Sequence, residues 1–288
     1  MGRFARSWEL TKTSFRVIKE EKELLVFPIL SIIFSVILVL FLVVPYLLSF
    51  VGYSLGIKGF GIFYFFMIFI VYFGIAFIST FFNFCTVYTS ATKFSKKNPT
   101  FISTIKYAFS KSHLILAWSV VAATVGLILS MIENAAKKIK GVGGFAVNIV
   151  GFILGVAWSI ATIFVIPVIV YENVGPFTAI KNSALTIKKT WGELLIKWVG
   201  LGLASFVVSF SIIFVTVVLA VLGFLINIWL MIFFIITGII ALIISILIFS
   251  AATKVFDTAL YVYAKTGVVV GGYSKQDLKE AFISKNKI

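Results

Sequence analysis

The sequence predicts an all-α polytopic membrane protein of about six transmembrane helices, with amphipathic helices lying on its cytoplasmic side. Three observations carry this. Hydrophobic residues make up 61% of the chain and charged ones 12%, against about 45–50% and about 25% in soluble domains. Several apolar runs exceed the roughly 20 residues that a helix needs to cross hydrocarbon, so the spans are helices and not barrel strands. Basic segments precede alternate spans.

The opening segment GRFARSWELTKTSFRVIKEEKE puts Phe4, Trp8, Phe15 and Ile18 near one side and Arg3, Arg6, Lys12, Arg16 and Lys19 largely elsewhere. That is the pattern of a helix lying in the membrane interface. The first span then runs from about Leu24 to Phe50; Pro28 is close enough to its start to be tolerated, and Pro45 is expected to bend or end it. A loop with Gly52, Gly56, Gly59 and Lys58 leads to an aromatic-rich second span, from about Gly61 to Lys93. Ala76, Ser79, Asn83, Thr86 and Ser90 keep one face of it small or polar, and such faces meet protein rather than lipid. SKKNPT breaks the chain. FISTIKYAFSK then places Ile102, Ile105 and Phe109 on one side and Lys106 and Lys111 off it.

A third span follows from about His113 to Ile132, and Lys137, Lys138 and Lys140 are assigned to the connection beyond it. In the fourth, Gly144, Asn148, Gly151, Gly155, Ser159 and Thr162 recur on one helical face, while Pro167 would free the carbonyl of Ile163 and kink the helix. Gly175-Pro176 turns the chain after Glu172. The next segment aligns Phe177, Ile180, Ala184, Ile187 and Trp191, with Lys181, Lys188 and Lys189 kept off that stripe. From Leu195 to Tyr263 the sequence is too long and apolar for one helix at 1.5 Å per residue, so a reversal is expected between Gly223 and Trp229. The sixth helix should outrun the bilayer and stop at Gly267. In the tail, Ser274 followed by Asp277 has the spacing of a capped short helix.

This organisation is one transmembrane domain over 1–266 and a cytoplasmic tail over 267–288. Within the domain an interfacial helix plus two spans recurs as units 1–94, 95–172 and 173–266. Summed over loops and ends, twenty-one positive residues fall on one side and four on the other. The richer side should be cytoplasmic, with both termini there and the protein in the cell membrane.

Two long stretches, FARSWELTKTSFRVIKEEKELLVFPIL and WSIATIFVIPVIVYENVGPFTAIKNSALTIKKTWGELL, resemble a widespread prokaryotic family of six-span integral membrane proteins of unknown function. The resemblance implies the six-span fold and no activity or site residue. Three parallel hairpins also invite comparison with mitochondrial carriers, but Pro176 to Lys181 has Thr178 where the carrier motif needs an acid, and the other units lack the motif.

Chemistry is sparse. One cysteine, Cys85, and one histidine, His113, provide neither an internal disulfide nor a Cys/His metal cluster. Glu133, Glu172, Glu193 and Asp257 each fall at an expected helix end, and no nucleophile, base and orienting acid assemble. No cofactor and no enzymatic activity are expected. The net charge of +15 flanks apolar spans, so it fits anionic lipid headgroups rather than nucleic acid. The leading expectation is a membrane scaffold or lipid-organising module with Lys181, Lys188 and Lys189 as headgroup contacts. The alternative is a channel or uncoupled small-solute facilitator, between hairpins or at the centre of a homo-oligomer, with Asn83, Asn148, Ser159 and Thr162 as polar lining or packing residues.

Overall fold

In hydrocarbon every backbone N–H and C=O must be satisfied within its own segment, which leaves the helix as the structure open to these apolar runs. The computed structural model describes the backbone of residues 3–139 and 142–273, and the side chains there except at 3–10, 142 and 189–199. It is all-α among the described residues. The helices are α1 (Arg3–Glu20), α2 (Glu23–Ser54), α3 (Phe60–Phe94), α4 (Phe101–Ser110), α5 (Ser112–Lys138), α6 (Val142–Ala161), α7 (Val165–Glu172), α8 (Pro176–Lys197), α9 (Leu203–Ile226) and α10 (Ile228–Thr266). A π-helical stretch, Trp198–Gly202, joins α8 to α9. Six segments are long and apolar enough to cross a membrane: α2, α3, α5, α6 with α7, α9 preceded by its π-helical turn, and α10. The protein is an integral membrane protein.

The chain divides into two compact units, one of Met1–Val26, Lys93–Ser95 and Lys189–Ile288, the other of Phe27–Thr92 and Lys96–Lys188. In the second unit buried side chains concentrate at one end of the long helices: Thr80 to Ala91 on α3, Ile115 to Ala123 on α5 and all of Val165 to Val170 on α7. Aromatic contacts fasten α4 there. Phe27 stacks on Phe101 with centroids 5.6 Å apart, and Tyr88 stacks on Tyr107 at 4.1 Å. Further along, Trp118 of α5 lies against Trp158 of α6 at 5.8 Å, so Trp158 fills space between two spans. In the first unit the long hairpin of α9 and α10 reverses at Asn227, whose Oδ1 accepts from the Trp229 N–H at 2.9 Å. The end of α10, from Ala251 to Tyr261, is almost wholly buried, and Gly267 closes it in the left-handed conformation, φ 70°.

The structure refines several expectations and corrects others. Pro45 does not end its helix: α2 continues to Ser54, because in lipid an interrupted helix would leave more backbone groups unsatisfied than the single N–H a proline lacks. The fourth span is interrupted at Thr162–Phe164, ahead of Pro167, which thereby falls in the first turn of α7 where no N–H is needed. Lys137 and Lys138 belong to the last turn of α5 rather than to a loop, and Lys137 pairs with Glu133 one turn back at 2.7 Å. On α4 the inward residues are Thr104 and Ala108, while Ile102 and Phe109 are 77% and 63% exposed. On α8 the inward residues are Ala179, Ser183, Thr186 and Ile187, with Phe177 and Ala184 exposed. On α1 they are Thr11, Thr13, Ser14, Val17 and Ile18. Small and hydroxylated residues let helices approach closely and, with Val17, Ile18 and Ile187, take the protein-facing side, while Ile102, Phe109 and Phe177 of the apolar stripes stay exposed. The Ser274–Asp277 cap, and the placements of Phe4, Trp8 and Trp191, lie outside the described residues.

Candidate functional site

Three short sequence runs, Lys12-Thr13-Ser14, Lys106-Tyr107-Ala108 and Lys181-Asn182-Ser183, occupy α1, α4 and α8. In each the lysine is exposed and the small residue two positions on is wholly buried. Residues two apart on a helix point away from one another, so each run turns a charge outward and a small residue inward. The inward side is secured by hydroxyls. Ser14 shares a 2.8 Å hydrogen bond with the Tyr273 hydroxyl, Thr104 shares one of 3.0 Å with Thr89, and Ser183 Oγ accepts from the Phe164 N–H at 3.1 Å. The last bond meets the start of α7, where backbone N–H groups have no helical acceptor.

Charged side chains nearby are held structurally. Lys93 pairs with Glu21, and Asn182 Nδ2 donates to Glu172 across the Gly175-Pro176 turn. Asp257 is buried on α10. Counted from Ile228 at about 1.5 Å per residue, it stands about 44 Å along the helix axis, beyond the roughly 30 Å of hydrocarbon. His113 is exposed at the start of α5. Burial pushes the Tyr273 hydroxyl well above the ordinary tyrosine range; its bond with Ser14 opposes the shift and the Asp257 charge adds to it. Tyr107 is raised more mildly, by burial first and by Tyr88 second.

The residues singled out from the sequence do not converge. Lys181 and Lys188 are exposed on α8; Lys189 belongs to the same helix, and its side chain lies outside the described residues. Asn83 is half-buried and donates to Ser79 Oγ one turn back at 3.3 Å. Asn148 and Ser159 are exposed on α6, and Thr162 returns its hydroxyl to the Trp158 carbonyl at 2.8 Å. Among the described residues no two of these four polar side chains hydrogen-bond to each other, and no three His, Cys, Asp or Glu side chains cluster as a metal site.

A family described as a family of unknown function (DUF6159) matches residues 61–271. The chain belongs to this family. The match begins within α3 and ends beyond Gly267, so it takes in both exposed lysines of α8 and the α9–α10 hairpin. No curated protein and no solved structure matches the chain.

Sequence reasoning missed the shared spacing of Lys12/Ser14, Lys106/Ala108 and Lys181/Ser183. The signal was present as a lysine followed two residues later by serine or alanine, but bulky residues draw the eye to the opposite helix face. The π-helical turn also went unseen; its signal is the Gly200 and Gly202 pair.

Proposed function

We propose that the protein is a non-enzymatic membrane scaffold or lipid-organising module whose basic helices α1, α4 and α8 lie along anionic headgroups at the cytoplasmic surface, where both termini also reside. The observation that carries this is the division of α4 and α8 into an inward side rich in small and hydroxylated residues and an outward side holding both lysines and large apolar groups, with lysines and Arg16 also turned outward on α1. On α8, Phe177 and Leu185 are exposed together with Lys181 and Lys188; on α4, Ile102 and Phe109 are exposed together with Lys106. A surface that presents apolar side chains beside ammonium groups suits the boundary between acyl chains and headgroups. Each lysine near an anionic surface contributes about 1 kcal/mol.

The test is reconstitution in vesicles of mixed neutral and acidic phospholipid. The triple substitution of Lys181, Lys188 and Lys189 by Gln should lower the acidic lipid that remains with the purified protein, while neutral lipid stays constant. Unchanged retention would overturn the role of these lysines. The same vesicles, loaded with ions, a neutral osmolyte or a self-quenching dye, should stay as tight as empty ones. Solute release above that background would replace the scaffold by a channel or facilitator.

A further inference from the structure

An open groove of about 570 Å³ lies where the π-helical turn and the start of α9 meet α10. Its volume falls within the roughly 300–1,000 Å³ of small-molecule sites. Leu201, Ile246 and Phe249 supply its apolar wall, and Ser205, Ser250, Thr253 and Lys254 its polar lining. Ile246 reaches deeper than the polar lining, while Phe249 and Leu201, about 32 Å and about 38 Å from the tip of the hairpin, stand level with it. Ile246 stands about 27 Å along α10 from Ile228, still at hydrocarbon depth, whereas Ser250 and Lys254 stand at about 33 Å and about 39 Å, in the headgroup layer. Ser205 is about 32 Å from Ile226 at the tip of the same hairpin. A molecule filling the groove therefore meets Ile246 below and hydroxyls with an ammonium above, with Phe249 and Leu201 beside the hydroxyls.

The hydroxyls are available. Ser211 and Thr216 on α9 and Thr258 on α10 each donate to a carbonyl four residues back, but the hydroxyls of Ser205, Ser250 and Thr253 make no hydrogen bond among the described residues. The surroundings are basic: Phe249 is held edge-on by Phe15 of α1, centroids 5.4 Å apart, and the next residue, Arg16, is exposed with Lys19 one turn on. Below the groove Val208, Ile239 and Ile243 are exposed on α9 and α10, so its wall continues into lipid-facing surface. A π-helical turn at a groove is a frequent mark of a functional position, because the extra residue widens the helix and turns side chains out of register.

We propose that this groove seats one anionic phospholipid, its phosphate received by Ser205, Ser250, Thr253 and Lys254 and an acyl chain running from Phe249 past Ile246 toward Val208, Ile243 and Ile239. This deepens the lipid-organising role proposed above, adding a stoichiometric site to a diffuse charged surface, and it fails separately from it. Gly202 offers a steric probe: a Cβ built there meets nothing within 4 Å, so Gly202→Leu can enter the groove without forcing the helix. Thr253→Val with Ser250→Ala removes two hydroxyls at nearly constant shape.

The full chain, purified in detergent, is titrated with phosphatidylglycerol, phosphatidylcholine and inorganic phosphate, and bound lipid is counted by native mass spectrometry. One phosphatidylglycerol should persist through washing, and both groove variants should weaken it by about tenfold or more, the scale of one or two lost hydrogen bonds to a charged group. The Lys181/Lys188/Lys189→Gln protein should keep that lipid, whatever it loses from the surface. Unchanged retention in the two groove variants, with unaltered helicity and elution, overturns the site. Phosphatidylcholine held as tightly overturns its preference for an anionic headgroup, and displacement of the lipid by inorganic phosphate would make it a free-anion site.

Discussion

Single side chains on the inward sides of the basic helices carry consequences that can be measured one at a time. Ser183 Oγ takes the N–H at the first turn of α7, so Ser183→Ala should lower the unfolding midpoint in detergent, by about 1 kcal/mol on the scale of a neutral hydrogen bond. An unchanged midpoint would mean that the bond adds nothing to the α7–α8 corner. Tyr273 gives a pH signature. Its folded pKa lies above the ordinary value of 10, so the unfolded chain releases that proton first as the solution turns alkaline. Its contribution to stability is then constant below about pH 10 and is lost as the pH climbs from there toward the folded value. Tyr273→Phe should flatten that alkaline loss relative to the wild type in a series of thermal melts; parallel slopes would show the hydroxyl to be solvated.

At the scale of elements, α9 and α10 form the closest pair of the first unit, and Gly238 shows how close. A Cβ at that position would lie 2.1 Å from Thr216 Oγ1, whose hydroxyl is already committed to the Ile212 carbonyl. Gly238→Ala should therefore force the hairpin apart and cost about 1–3 kcal/mol, and Thr216→Ala in the same chain should recover part of it. A neutral Gly238→Ala would contradict the packing. The long helices were legible in the sequence because periodicity and length suffice in lipid: α3 and α10 begin and end within a residue or two of expectation, and Asn227 and Gly267 mark their own turns. Of the two outcomes expected at Pro45, a bend or an end, the helix does not end there, because in lipid an interruption leaves more backbone groups unsatisfied than the one N–H a proline lacks. The interruption at Thr162–Phe164 contains Ile163, whose carbonyl Pro167 is expected to free. The Ser183 hydroxyl that meets it comes from the next helix, and that tertiary partner had no local sequence signal.

For the whole molecule, the distribution of charge decides how the chain sits in the bilayer. Lys58 and Lys106 belong to opposite sides of the positive-residue tally, so cysteines introduced at each should be labelled by an impermeant reagent from opposite faces of the membrane. The native Cys85 is wholly buried and should leave little background. Labelling of both from one face would overturn the six-span order. The lysines alone assign the basic helices to the positive side of the tally, which is the assignment the labelling tests. Which way each basic helix turns was not legible, because buried small residues have weak periodic signals. One feature of the hairpin bears on how the protein is made. No charged residue occurs between Lys197 and Lys254, and the turn at Asn227 has nothing costly to drag across the bilayer. The pair should leave the ribosome as an unanchored apolar ribbon and settle only once Lys254 has been added, so synthesis and insertion must be coupled in time. A release of the nascent chain before that lysine would deliver to the cytosol its most adhesive segment.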